Sequence, residues 1–143
     1  RRRRPRRPAM PVRKFRVAMS ERCFRFKPDA LPSHAPHKPG VYEFVTFDAQ
    51  KNPQVLFVGV TLTGSVYDCL AAHMDNTAAP TAKDLFGVSP DIYFDYVASA
   101  DIAEAEELKD IAGAFIAKHK PRFNTGPVPS SGKHASVEVE DVG

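Results

Sequence analysis

Few side chains in this 143-residue chain have both the type and the spacing to do chemistry. His34 and His37 stand three apart, as two metal-binding imidazoles on one helical face would. Pro32, Pro36 and Pro39 break any helix there, and no nearby carboxylate or thiolate completes a ligand set. A solvated loop is the expectation. Cys23 and Cys69 lack C-x-x-C spacing, so neither a disulfide framework nor a thiolate zinc site is indicated. Ser130-Ser131-Gly132-Lys133 lacks the glycine spacing and the strand–helix setting of a phosphate-binding loop, which leaves nucleotide hydrolysis unsupported. Glu104, Glu106, Glu107 and Asp110 are expected to form the solvated acidic face at a helix N-terminus, a surface that would suit a basic partner protein. Arginine supplies the remaining chemistry, as phosphate neutralisation.

That arginine is concentrated at one end. Residues 1–27 hold 12 of the 20 Lys and Arg against a single acid, Glu21, whereas the rest of the chain holds 8 against 16. A basic segment can attract a polyanion without folding, while an acidic body repels one unless its cations are clustered. The chain starts at Arg1 and its first methionine is Met10; a start there would remove six arginines and turn the net charge of +3 into −3. Arg13, Lys14 and Arg16 lie beyond Met10 and remain candidate nucleic-acid contacts, together with Arg122.

The elements that must position these groups follow from hydrophobic patterning. With 43% hydrophobic residues the chain can bury one core. No stretch approaches the roughly 20 apolar residues of a membrane span and no secretory h-region is visible, so a cytoplasmic protein without membrane contact is expected. Residues 1–37 read as a basic, proline-rich, largely irregular arm, residues 38–124 as a domain, and residues 125–143 as a disordered Gly/Pro/Ser-rich tail. Within the domain, residues 41–47 and 55–61 are β-branched and aromatic runs separated by turn residues, which predicts an antiparallel hairpin. Val66, Cys69, Leu70 and His73 fall on a helical stripe behind Thr63 as N-cap. Residues 75–90 predict a loop with a short helix around 83–86, residues 92–98 a third strand, and residues 101–118 a closing helix stopped by Pro121. The fold class expected is α+β, a small sandwich with a three-stranded, mainly antiparallel sheet flanked by helices.

Gly40-Val41-Tyr42 on the first strand, Phe57-Val58-Gly59 on the second, and Lys120-Pro121-Arg122-Phe123-Asn124 after the last helix occur in the order and setting of known landmarks. Over residues 38–124 the chain resembles the GIY-YIG nuclease superfamily. The resemblance implies a metal-dependent phosphodiesterase in which tyrosines handle the attacking water, an Arg on the first helix stabilises phosphate charge, and a Glu on the last helix binds a divalent metal.

Tyr42 matches the first tyrosine and Asn124 the terminal Asn, but Phe57 stands where the second tyrosine would and has no hydroxyl. The family Arg position falls on Tyr67, Asp68 or Cys69, and no Lys or Arg occurs between Val60 and Ala82. The family Glu position falls on Ala112. Glu107 is about 140° away around the helix, and Asp101 about 16 Å away along it. His73 resembles a histidine that approaches phosphate in some members, although packing against the sheet edge is the simpler account of it.

The implied protein is therefore a degenerate member with a vestigial cleft of Tyr42, Phe57, His73 and Asn124 that binds nucleic acid without cleaving it. The alternatives are a module that docks a basic protein, and an active endonuclease with displaced catalytic groups. No cofactor is expected outside the last case, which would need Mg²⁺ or Mn²⁺.

Overall fold

The computed structural model describes residues 12–142, so residues 1–11, which hold the six arginines ahead of Met10, lie outside it. Its elements in chain order are β1 (Val12–Met19), β2 (Phe24–Arg25), α1 (Leu31–His34), β3 (Gly40–Phe47), β4 (Pro53–Thr61), α2 (Val66–Met74), α3 (Ala82–Val88), β5 (Tyr93–Ala100), a 3₁₀ turn (Ala105–Glu107), α4 (Leu108–His119) and β6 (Ser136–Asp141).

The sheet has six strands in the order β4-β3-β5-β1-β6, with β2 also paired to β5, and it curls into a half-barrel. It is mixed: β1 and β6 run parallel, and the other pairs are antiparallel. This corrects the three-stranded sheet expected from the sequence, whose strands correspond to β3, β4 and β5. The additional strands come from segments expected to be irregular. In β1 the fully buried Phe15 and Val17 alternate with basic residues, so charge and flanking prolines hid a half-buried strand. In β6, Val137 and Val139 pack inward while Glu138 and Glu140 stay exposed. That alternation lies behind a Gly/Pro/Ser-rich stretch whose composition reads as tail.

Two apolar clusters sandwich the sheet. Tyr42, Phe44, Leu56 and Phe94 meet Leu31, Val66, Leu70 and Leu85 of α1–α3 on one face. Val41, Val58, Phe15 and Val17 meet Leu108, Ile111, Ala112 and Phe115 of α4 on the other. β3 is consequently buried on both faces along almost its whole length. The fully buried Phe44 there contributes about 1.5–3 kcal/mol relative to exposure. Among the described residues no helix is long and apolar enough to cross a membrane.

Local chemistry sets the helix ends. Ser65 rather than Thr63 caps α2, its Oγ accepting from the Asp68 amide at 3.0 Å. Thr81 and Asp84 form a reciprocal capping box that starts α3. The helix expected from residue 101 begins at Leu108 behind its 3₁₀ turn, and Lys120 ends it in a left-handed conformation (φ 48°) just before Pro121.

Candidate functional site

The resemblance centres on one hydroxyl. Strand register puts Tyr42 opposite Gly59, where an added Cβ would run into the tyrosine ring, so glycine gives the ring its place. From there the Tyr42 Oη reaches the His73 Nε2 of α2 at 2.7 Å, and the His73 Nδ1 lies 2.9 Å from the Pro80 carbonyl oxygen. A carbonyl can only accept, so Nδ1 carries the proton, Nε2 is the acceptor and Tyr42 donates. Tyr42 is 4% exposed and His73 3%. Burial, with Cys69 beside the hydroxyl, holds the phenol far above its ordinary range. Burial also depresses His73, against the opposing effect of backbone hydrogen bonds. Both groups are neutral, and the one proton of the phenol is already committed to a ring nitrogen.

Phe57 packs 5.5 Å from the His73 ring and 6.3 Å from Tyr42, as a wall of this pair. Asn124 lies at the sheet edge: its Oδ1 accepts from the Val58 N–H and its Nδ2 donates to the Val58 carbonyl, both at 2.9 Å. Together with the Phe123 amide donating to the Leu56 carbonyl, this pins the chain after α4 along β4. The structure thus gathers Tyr42, Phe57, His73 and Asn124 at one end of the hairpin.

The remaining positions separate from them. Tyr67 stacks on His37 at 4.5 Å and Cys69 lines the hollow beside Tyr42. Ala112 is fully buried in the apolar cluster on the opposite face from Tyr42. It has no donor atom, so the divalent metal implied by the resemblance does not fit at that position. The displaced carboxylates are engaged elsewhere: Glu107 accepts from the Ala103 and Glu104 amides, and Asp101 accepts from the Arg16 amide and the Arg13 guanidinium.

Two adjoining hollows open over the pair and share Phe57 and Ala79. One, of about 370 Å³, is lined by Tyr42, Gly59, Asp68, Cys69 and His73; the other, of about 420 Å³, by Pro80, Asp84, Phe123 and Asn124. Their charged lining residues are Asp68 and Asp84, the wrong sign for a phosphodiester. The basic candidates sit away from this lining. Arg13 pairs with Asp101 at 3.4 Å and approaches Glu107 at 3.9 Å, Lys14 pairs with Glu140 at 3.5 Å, Arg16 is exposed on β1, and Arg122 lies over the Phe123 ring at 5.4 Å. His34 stacks on Phe24 at 4.2 Å.

The acidic face expected at 104–110 is corrected as well. Glu104 and Glu106 are exposed and face Lys133, but Glu107 and Asp110 are 4% and 3% exposed. His134 closes over them, its Nε2 3.1 Å from Glu107 and 4.0 Å from Asp110. These three donors lie within 4.8 Å of one another, the spacing of a metal site. Every carboxylate oxygen there already has a partner, however, since Ser131 donates to Asp110 through both amide and hydroxyl and Arg13 brings a cation. The carboxylates of this cluster are satisfied between α4 and the segment before β6, while the His134 Nδ1 is buried without a hydrogen-bond partner.

Sequence reasoning missed a second polar group, built from Cys23, Glu43, Asp95 and His119. Its signal was one acid in the middle of each of two otherwise apolar strands. No family model, curated protein or solved structure matches the chain.

Proposed function

We propose that the chain is a GIY-YIG-like protein that has lost phosphodiester hydrolysis and binds nucleic acid without cutting it. The observation that carries the first half is the buried Tyr42–His73 pair, in which the phenol donates to a neutral imidazole and has no proton-accepting role left. Ala112 leaves no metal ligand, and α2, which holds no Lys or Arg, leaves no phosphate-stabilising cation. Loss of an electrostatic stabiliser alone costs about 10²–10³ in rate.

Binding is assigned to the basic N-terminal segment and not to the cleft. Two acids line the cleft, whereas residues 1–27 carry the excess of arginine and lysine. Six arginines ahead of Met10 would displace counterions from about six phosphates, a slope near −5 in log K against log salt on duplex DNA.

The test is fluorescence anisotropy with labelled duplex DNA and single-stranded RNA over a salt series, comparing the full chain with one beginning at Met10, plus a nicking assay with Mg²⁺ and Mn²⁺. The expected result is salt-steep binding by the full chain, a much shallower slope from Met10, and no nicking by either. Nicking by both that Tyr42→Phe abolishes would establish an active nuclease. Absence of binding would favour the docking of a basic protein, for which Glu138, Glu140 and Asp141 on the edge strand β6 are the specific observation.

A further inference from the structure

Between β1 and β2 the chain leaves the edge of β5 and then returns to it, Met19 pairing with Val97 and Phe24 with Phe94. Ser20 ties the turn down: its amide donates to the Tyr96 carbonyl at 2.7 Å, and its Oγ accepts from the Tyr96 amide at 3.3 Å. Glu21 and Arg22 stand exposed at the tip of the turn. Beside them opens a hollow of about 410 Å³ bordered by Phe24, His34 and Tyr96.

These three rings are laminated. Phe24 lies 4.2 Å from His34 with the planes 12° apart, and 6.4 Å from Tyr96 with the planes 14° apart. Such a stack is extended most readily by a further flat π surface. His34 is exposed, and Phe24 and Tyr96 are half-buried, so the rings reach solvent. Among the described residues neither the His34 nitrogens nor the Tyr96 hydroxyl makes a hydrogen bond, which leaves polar groups free beside the ring faces.

Charge around the hollow is divided. Its own lining is neutral, Glu21 standing against Arg22. Phe15 and Val17 face α4, so Arg16 between them projects to the other face of the sheet, the face of Tyr96, about 13 Å along β1 from Ser20. Arg13, Lys14 and Arg25 are paired with Asp101, Glu140 and Asp91. Among the described residues Arg16 and Arg22 form no ion pair. A neutral hollow walled by ring faces, with two unpaired cations alongside, complements a nucleotide: an uncharged flat base and a charged phosphate. The two hollows over Tyr42 lack this division, since their charged lining residues are acids.

We propose that the hollow at Phe24, His34 and Tyr96 takes one unpaired base of a single-stranded nucleic acid, with Arg22 and Arg16 against the flanking phosphates. The inference rests on the reading of the chain as a nucleic-acid binder and adds a selectivity that the basic segment cannot supply. Arginines alone favour the duplex, whose higher charge density releases more counterions per contact. Bases within a duplex are stacked on one another and withhold their faces, whereas an unpaired base offers its face to aromatic side chains.

The experiment uses the full chain and an oligonucleotide of about 12 residues carrying one 2-aminopurine, as ribo- and deoxyribo- single strands and as the deoxyribo-duplex, at about 0.15 M salt. Anisotropy reads binding, and 2-aminopurine fluorescence reads stacking. The expected result is at least about fivefold tighter binding of the single strands than of the duplex, with the fluorescence quenched further on binding. His34→Ala should weaken single-strand binding about fivefold and reverse part of the quenching, with duplex binding unchanged. Arg22→Gln should lower the salt slope on single strands by about 0.7. Phe47→Ala, an exposed aromatic at the far end of the hairpin, should change nothing. Equal or tighter binding of the duplex, or single-strand binding and quenching that survive His34→Ala, would overturn the stacking site while leaving the basic segment as the binder. Absence of binding to every probe would overturn both readings. His34 is exposed at the end of α1, so its replacement by Ala tests the site without removing a core side chain.

Discussion

Tyr42 and Glu43 are neighbours in sequence and face opposite sides of β3, and both carry a buried polar group into an apolar layer. On the Tyr42 side the account closes: a hydroxyl, a ring nitrogen, a ring N–H and a carbonyl form an unbroken line of hydrogen bonds. On the Glu43 side it stays open, with two carboxylates facing each other and two oxygens unpartnered. Within one strand, then, one buried polar pair is fully hydrogen-bonded, while the other sets two carboxyls against each other at the cost of raising their affinity for protons. The side that carries the resemblance to an enzyme is the chemically quiet one.

The largest expected difference between the two sides is in pH response. Burial, reinforced by Asp95, raises the Glu43 carboxyl from its ordinary value of 4.5 to about 9, so the folded state holds the extra proton between those values. Stability from this side is present below about 4.5 and is lost as pH rises towards 9. His73 works the other way: its folded value is depressed, the unfolded chain takes the proton first, and stability falls as pH drops below 6.5. Urea midpoints over a pH series should therefore lose their alkaline decline in Glu43→Gln and part of their acid decline in His73→Gln. Identical profiles for the two variants would break the comparison.

Gly59→Ala is the next largest effect. It forces a Cβ against the Tyr42 ring and should cost about 3 kcal/mol by denaturant unfolding, with the quiet side taking the whole loss. Tyr42→Phe should follow at about 2 kcal/mol, because it leaves the His73 Nε2 buried without its donor. A neutral result would mean that the pair is not closed as described. Asn124→Ala is the mildest, about 1 kcal/mol, accompanied by faster exchange of the Val58 amide; unchanged exchange would remove Asn124 from the edge of β4.

The sequence carried the central hairpin, β5, α2 and α4 because their apolar periods are strong and long, whereas α1 lies in the stretch expected to be irregular. It did not carry β1 and β6. Each has only two strongly inward apolar positions, and each exposes charge that resembles an arm or a tail when read without a partner strand. The cleft residues were legible as types, and the fate of Tyr42 was not, since whether a phenol is a reagent or a strut depends on what faces it. The pairing of Glu43 with Asp95 depends on strand register across 52 positions, which no local period encodes. Glu107 and Asp110 were misread as solvated because their cover, His134 and Ser131, comes from a segment that looked disordered.

The parallel pairing of β1 with β6, from Val12 with Ser136 to Val17 with Asp141, bears on how the molecule is made. It closes a loop of about 120 residues, among the most entropically costly contacts available to a chain of this size. Contacts of such long range also slow folding. On the ribosome β1 would emerge before β6 and wait for its parallel neighbour while about 120 further residues followed. During that interval Phe15 and Val17 would be exposed beside a run of arginines, whose mutual repulsion would discourage the unfinished strand from pairing with another nascent copy.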